Sequence, residues 1–514
     1  MARKLIAWTL GAGLLLAAIL WAAPEKRGDR TQESFRPQFH FSPERNFIND
    51  PNGLVYDAGE YHLFYQYNPF GDVWGHMSWG HAVSRDLVHW QHLPVALFEE
   101  NGIMIFSGSA VVDHRNSSGF GTSAAPPLVA FYTGAERDRQ SQHLAFSTDR
   151  GRTWKKYSGN PVIDLNERDF RDPKVFWYEA GKRWIMVVSL AAQRRVLFYA
   201  SSNLKEWSRV GEFGPAGPAN APNWECPDLY ELPVASQPGV RKWVLEIGIG
   251  DHAAAGGSGG QYFIGQFDGQ RFVNSNPADQ TLWVDYGADF YAAQTWSDIP
   301  PADGRRIMLG WMNNWRYANK VPTSPWRGQM SLPRVVTLEQ LPEGVRMVQA
   351  PVEELQRLRG KHVRLGPQSI SGDDRRLDQR GVQGETLEIL AEFEPGSATE
   401  FGLRLRKNSD HETVVGYDAV SKDVFLDRTR SGEAAFHADF PALHRAPLET
   451  EKGIVRLHIF VDRCSVEVFA NNGRRVITDL IFPGPASDRL EVYARGGAAK
   501  LRSLDAWTLN SAWK

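Results

Sequence analysis

NDPNGLVYDAGEYHLFYQ, residues 49–66, couples a polar turn to two apolar strands separated by the tight-turn signal Asp57-Ala58-Gly59. The same plan returns, imperfectly, four more times. FSGSAVVD begins at Phe106 and is followed by PPLVAFYTG, and FRDPKVFWYEAGKRWIMVVSL begins at Phe170. WECPDLYELPV begins at Trp224 and leads to RKWVLEIGIG; DFYAAQTWSDI begins at Asp289 and leads to RRIMLGWMNN. A spacing of roughly 50 to 65 residues suits four short strands per unit, repeated radially. The five copies predict a five-bladed β-propeller over residues 35–340.

A second echo supports the count. Ser84-Arg85-Asp86 ending in Trp90, Ser147-Thr148-Asp149 ending in Trp154 and Ser201-Ser202-Asn203 ending in Trp207 read as outer-strand turns. In such turns a polar side chain caps its own backbone and the Trp packs on the sheet. The pattern changes after Leu341, and residues 341–362 read as a linker with a short helical stretch at 352–358. Alternating strands return from about Glu385, and Asn471-Asn472-Gly473 is a hairpin signal. Residues 363–514 therefore read as a β-sandwich, and the fold class as all-β, a five-bladed β-propeller followed by a C-terminal β-sandwich.

Composition narrows the function. The 514 residues carry a net charge of -2, with no basic stripe of the kind nucleic-acid binding needs. The 18 Trp, 15 Tyr and 27 Phe suit both a β-rich core and the stacking of sugar rings. Residues 1–30 open with Arg3 and Lys4 and continue in an apolar run from Leu5 to Ala23, a signal peptide or an uncleaved membrane anchor. Either reading puts the body of the protein outside the cytoplasm, secreted, periplasmic or at the cell surface. Cys226 and Cys464 fall in different halves, so a disulfide is possible but not favoured. No Cys/His spacing suggests a metal site, and no cofactor is implied; His76/His81 and His89/His92 read as local strand or loop histidines.

Asp50, Asp172 and Glu225 each sit at the start of the presumed inner strand of their copy. The inner strands of a propeller line one channel, so these acids are expected at one repeated structural position facing each other. Two facing carboxyl groups with a third helper are what retaining glycosidic cleavage requires. The neighbouring acids are expected to help keep Glu225 protonated. Taken singly, each motif also has an ordinary reading as a turn or a surface pair.

Phe47-Ile48-Asn49-Asp50-Pro51-Asn52-Gly53, Phe106-Ser107-Gly108-Ser109, Phe170-Arg171-Asp172-Pro173 and Trp224-Glu225-Cys226-Pro227-Asp228 resemble, in order, the signature motifs of glycoside hydrolase family 32. This is the family of invertases, inulinases, levanases and fructan exohydrolases, and it pairs a five-bladed propeller with a β-sandwich. The likeness covers nearly all of the chain after residue 35. It implies Asp50 as nucleophile, Glu225 as acid/base, and Asp172, with Arg171 beside it, as transition-state stabiliser. It also implies that Asn49, Gln66, Trp74, Phe106 and Ser107 hold the terminal fructose. Ile48 departs from the Met that many members carry, a change of packing only.

The stretches Trp74–His81, Gly310–Tyr317 and Val321–Gly328 are similar to microbial levanases and exo-inulinases, and Trp311 is placed among the substrate-binding residues. Trp315 and Trp326 are read as either sugar-stacking or blade-closing. The expected activity is release of terminal β-D-fructofuranosyl units from a fructan (levan or inulin), and from sucrose, by double displacement. An invertase, a fructosyltransferase and a non-catalytic carbohydrate-binding propeller are the alternatives.

Overall fold

The computed structural model describes residues 33–122, 124–217, 220–374 and 383–513. The expected leader, 1–30, lies outside the described residues. Five sheets stand around one axis. Blade 1 is Asn46–Asp57, Glu60–Asn68, Ser78–Ser84 and Trp90–Leu97; blade 2 is Met104–Val112, Leu128–Ala135, Gln140–Ser147 and Lys155–Lys156. Blade 3 is Phe170–Tyr178, Arg183–Leu190, Arg195–Ser201 and Ser208–Phe213; blade 4 is Trp224–Pro233, Arg241–Ile249, Gly259–Phe267 and Phe272–Asn274. Blade 5 is Tyr291–Thr295, Ile307–Met312, Arg334–Leu341 and Gly344–Pro351. Each inner strand touches the next, and the fifth touches the first, so the ring is closed. Trp326–Arg327 adds to the inner strand of blade 1 in parallel and helps hold the seam, pairing Asn46 with Trp326 and Phe47 with Arg327.

The three Trp turns share one geometry. The indole N–H of Trp90, Trp154 and Trp207 donates to the carbonyl three residues earlier, on Leu87, Gly151 and Leu204, at 3.0–3.1 Å. Those three residues have φ of 63°, 75° and 64°, and the Ser hydroxyl at the head of each turn bonds the Asp or Asn two residues on. A left-handed non-glycine residue costs energy and persists only where its surroundings hold it, as the indole bond does at Leu87 and Leu204.

The boundary expected near residue 340 moves. Pro342-Glu343-Gly344 turns the chain back on itself, and Gly344–Pro351 pairs along its whole length with Arg334–Leu341 as the outer hairpin of blade 5. The expected linker is thus mostly regular: this strand, a 3-10 turn at Glu353–Leu358, and then Arg359–Leu365, which already belongs to the second domain.

In that domain eleven described strands form one connected sheet. Arg489–Leu509, 21 residues long, serves both layers. Its first part pairs with Glu400–Lys407 and its last part with Leu387–Glu394. The bend between them falls at Gly496, φ 65°, where a Cβ would lie 2.1 Å from Thr399 Oγ1. The two layers close on an apolar core that includes Phe393, Phe401, Leu457, Val468 and Leu504. Cys226 and Cys464 are both buried and unbridged. Among the described residues no helix is long and apolar enough to cross a membrane.

Candidate active site

Every inner strand carries a bulge at the same height. The pairing register slips between Ile48 and Pro51, Ile105 and Gly108, Arg171 and Lys174, Glu225 and Asp228, and Tyr291 and Gln294. A bulge twists its strand and re-aims the side chains at that point. The first bulged residue of the last three blades is left-handed: Asp172 at φ 67°, Cys226 at 48° and Ala292 at 51°.

These registers correct the expectation of one repeated position. Glu225 flanks its bulge, Asp172 is the first bulged residue, and Asp50 is the second. The acids stand at three successive offsets of one motif, and the stagger lets them converge from different blades on one pocket of about 650 Å³.

Asp50 and Asp172 are buried there. Ser107 donates its hydroxyl to Asp50 Oδ2 at 2.6 Å, and Asn49 Nδ2 donates to Oδ1 at 3.0 Å. Burial raises the Asp50 pKa, and the charge of Glu225 adds to this, while the Ser107 and Asn49 bonds favour the anion. Asp172 is pushed up to about 7, by burial first and by the charges of Glu225 and Asp50, against the pull of Arg171. Its Oδ2 accepts the backbone N–H of Cys226 at 2.9 Å. The Cys226 Sγ lies 3.4 Å from Asp50 Oδ2 and 3.6 Å from Asp172 Oδ2. Burial and the surrounding acids push this thiol well up, so it is a neutral donor between two carboxyls.

Glu225 is held on both oxygens. Arg171 donates from Nε to Oε1 at 3.0 Å, with its Nη2 in an ion pair 2.9 Å from the same oxygen, and the Tyr291 hydroxyl donates to Oε2. Burial, then the Glu225 charge, push the Tyr291 phenol well up, which keeps its proton on. Arg171 is itself braced by Gln140 at 3.1 Å and Asp169 at 3.0 Å.

The pocket wall gathers most of the expected residues: Asn49, Gln66, Trp74, Phe106, Ser107 and Arg171 line it beside the three acids. Gln66 sits on the strand facing the blade 1 bulge and is fixed by donating to Ile105 O at 3.0 Å. The Asn49 Oδ1 accepts no bond from the protein and is left as an acceptor beside Asp50.

Trp311 is the exception. It is fully buried, behind Phe47 and Trp315, because it lies within the second strand of blade 5 with its ring turned into the packing. Trp315, in the loop that follows, lines the pocket instead. Trp326 is buried under Arg36 and closes the blade. Tyr291, Gln140, Asp169 and the His76–Glu99 pair also line the pocket and were not anticipated. Tyr291 had a signal: in the fifth copy it occupies the place of Arg171 and Glu225 in theirs.

Known proteins match throughout. The family described as "Glycosyl hydrolases family 32 N-terminal domain" matches residues 40–351, and "Glycosyl hydrolases family 32 C terminal" matches residues 354–508. A levanase of Bacillus subtilis is 52% identical, over 97% of this chain and 74% of its own length. An extracellular exo-inulinase of Aspergillus ficuum is 39% identical over 94% of this chain and 96% of its own. The crystal structure of exo-inulinase from Aspergillus awamori superposes with a TM-score of 0.88 at 38% identity, covering 94% of this chain and all of that one (100%).

Proposed function

The chain belongs to glycosyl hydrolase family 32, and we propose that it is a retaining fructan β-fructosidase that removes terminal fructosyl units at the Asp50–Glu225 pocket. The protein is a glycoside hydrolase, and its relatives include a levanase and an exo-inulinase. The observation that carries the mechanism is the convergence of the two carboxylates on one pocket, where Asp50 is buried and Glu225 stays partly open. Both accept hydrogen bonds that fix them in place, Asp50 from Ser107 and Asn49, and Glu225 from Arg171 and Tyr291.

In the first step Asp50 attacks the anomeric carbon of the fructosyl unit, the glycosidic C–O bond breaks, and Glu225 gives its proton to the leaving oxygen. In the second, Glu225 takes a proton from water, whose oxygen displaces Asp50 from the same carbon. Asp172 stabilises the positive charge that develops on the fructosyl ring. Asn49, Gln66, Trp74, Phe106 and Ser107 hold the unit being cleaved; Trp315 takes the place first given to Trp311. Export is part of the same reading, supported by the basic start and apolar run of residues 3–23 and by the extracellular relative.

Asp50→Asn and Glu225→Gln are expected to fold as the parent does and to lose about three or more orders of magnitude in kcat. Near-parental turnover in either variant refutes the roles. Products on levan, inulin and sucrose separate the activities: free fructose released with retained configuration is expected, and growing oligosaccharides would show transfer instead.

A further inference from the structure

The pocket is edged by two kinds of surface. Glu136, Arg137, Arg168 and Asp169, from blade 2 and the chain leading into blade 3, line it with charge. The loop 69–76 of blade 1, which brings Trp74 to the same pocket, instead turns apolar groups to solvent: Phe70 is 73% exposed, Val73 46% and Trp74 40%. An exposed phenylalanine on a loose loop would mean little, but this loop is pinned at four places. Asn68 accepts the N–H of Phe70 at 2.9 Å and donates to the carbonyl of Val73 at 2.8 Å. Arg327 donates to the carbonyl of Asp72 at 2.7 Å, and Asn319 accepts the N–H of Trp74 at 2.8 Å. Phe70 stands edge-on to His76, with ring centres 5.4 Å apart, and His76 is fixed to Glu99 at 2.8 Å. His76, Glu99 and Trp74 belong to the pocket wall, so Phe70 continues that wall outward.

We infer that Phe70 is a stacking platform for the sugar units of a fructan beyond the second, and that it biases the enzyme toward long chains over sucrose. The inference rests on the fructosidase reading. An aromatic face gains from the C–H face of a sugar ring, and a ring carried on a pinned loop needs little ordering of the backbone on binding. A chain whose end is in the pocket has to leave through the mouth. The charged side would have to give up its water, whereas the Phe70 side gains by giving up its own. Sucrose, with two rings, has no unit beyond the second to offer.

The test compares kcat/KM on levan and on inulin, each divided by kcat/KM on sucrose, for the parent, Phe70→Ala and Phe70→Trp. Phe70→Ala is expected to lower the ratio roughly three- to tenfold on at least one polymer, through KM, and Phe70→Trp to restore it. Val420→Ala, which trims an equally exposed residue on the second domain, is expected to leave the ratio alone. A ratio unchanged on both polymers in Phe70→Ala, or one that Phe70→Trp does not restore, overturns the inference while leaving the fructosidase reading standing. A parent protein that frees fructose from none of the three substrates overturns that reading, and this inference with it.

Discussion

On the proposed mechanism Glu225 meets opposite demands: it gives a proton in one step and accepts one in the next. Its neighbours on the flanking blades address both oxygens, Arg171 on one and Tyr291 on the other. Arg171 also touches Asp169 and Gln140, but the Tyr291 hydroxyl is buried against Glu225, so Tyr291→Phe removes one bond with almost no change of volume. A hydrogen bond to a charged group contributes about 1.5–3 kcal/mol, so kcat/KM is expected to fall by roughly tenfold or more. A variant whose kcat/KM stays at the parental value would make Tyr291 a packing residue only. Cys226 has a different part: its thiol and its backbone N–H steady Asp50 and Asp172, and its raised pKa keeps it from competing as a nucleophile.

At the scale of elements, the inner strand of blade 5 shows how the second domain reaches the site. Asp289, two residues before Tyr291, is buried with Arg428 of the sandwich at 2.5 Å; it also accepts the Tyr317 hydroxyl at 2.7 Å and the Leu480 N–H at 2.8 Å. Arg428→Met is expected to cost about 3–5 kcal/mol, since Asp289 would stay buried without its cation. Urea denaturation measures that loss. A lower kcat, at a temperature where the variant is still folded, would show that the strand positions Tyr291. A stable variant of normal turnover would refute both. This coupling was not legible in the sequence, because Asp289 and Arg428 lie in different domains and nothing in either stretch pairs the one with the other. The five-fold repeat was legible, since each copy renews the same turn and apolar alternation. The stagger of the acids was not: a bulge adds a residue without leaving a mark in composition, so Asp50, Asp172 and Glu225 looked equivalent. Trp311 and Trp315 were confused for a similar reason. Both are aromatic residues near one strand end, and only the end of the strand decides which one faces the pocket.

For the molecule as a whole, the propeller and sandwich are joined by buried charge, which makes the joint sensitive to pH. His40, just ahead of blade 1, bonds Asp462 through Nδ1 at 2.8 Å and Glu467 through Nε2 at 2.9 Å, both in the sandwich. Asp462 also accepts the N–H groups of Gln38 and Phe39, and Glu467 accepts that of Leu332 and an Arg334 N–H at 2.6 Å. Burial alone would lower the His40 pKa, but the two carboxylates outweigh it and raise it from 6.5 to about 9. For Asp462 and Glu467 burial works in the raising direction, yet His40 with its bonds, and Arg334 on Glu467, bring both below the usual carboxylate range. Between pH 6.5 and 9 the folded protein therefore binds a proton that the unfolded chain has released, and stability must fall as pH rises. The His40 contribution is complete below pH 6.5 and is lost through about pH 9; the carboxylate contribution is complete above their unfolded values, near pH 4, and is lost in acid. The clasp is thus strongest in the mildly acidic range. A shift of this size corresponds to a few kcal/mol, on the order of a fifth or more of a typical domain's stability. Urea midpoints measured from pH 6 to pH 9.5 are expected to decline in the parent. In His40→Gln they are expected to start lower and to decline much less over the same range. Equal slopes in the two proteins would place the pH dependence elsewhere than at this joint.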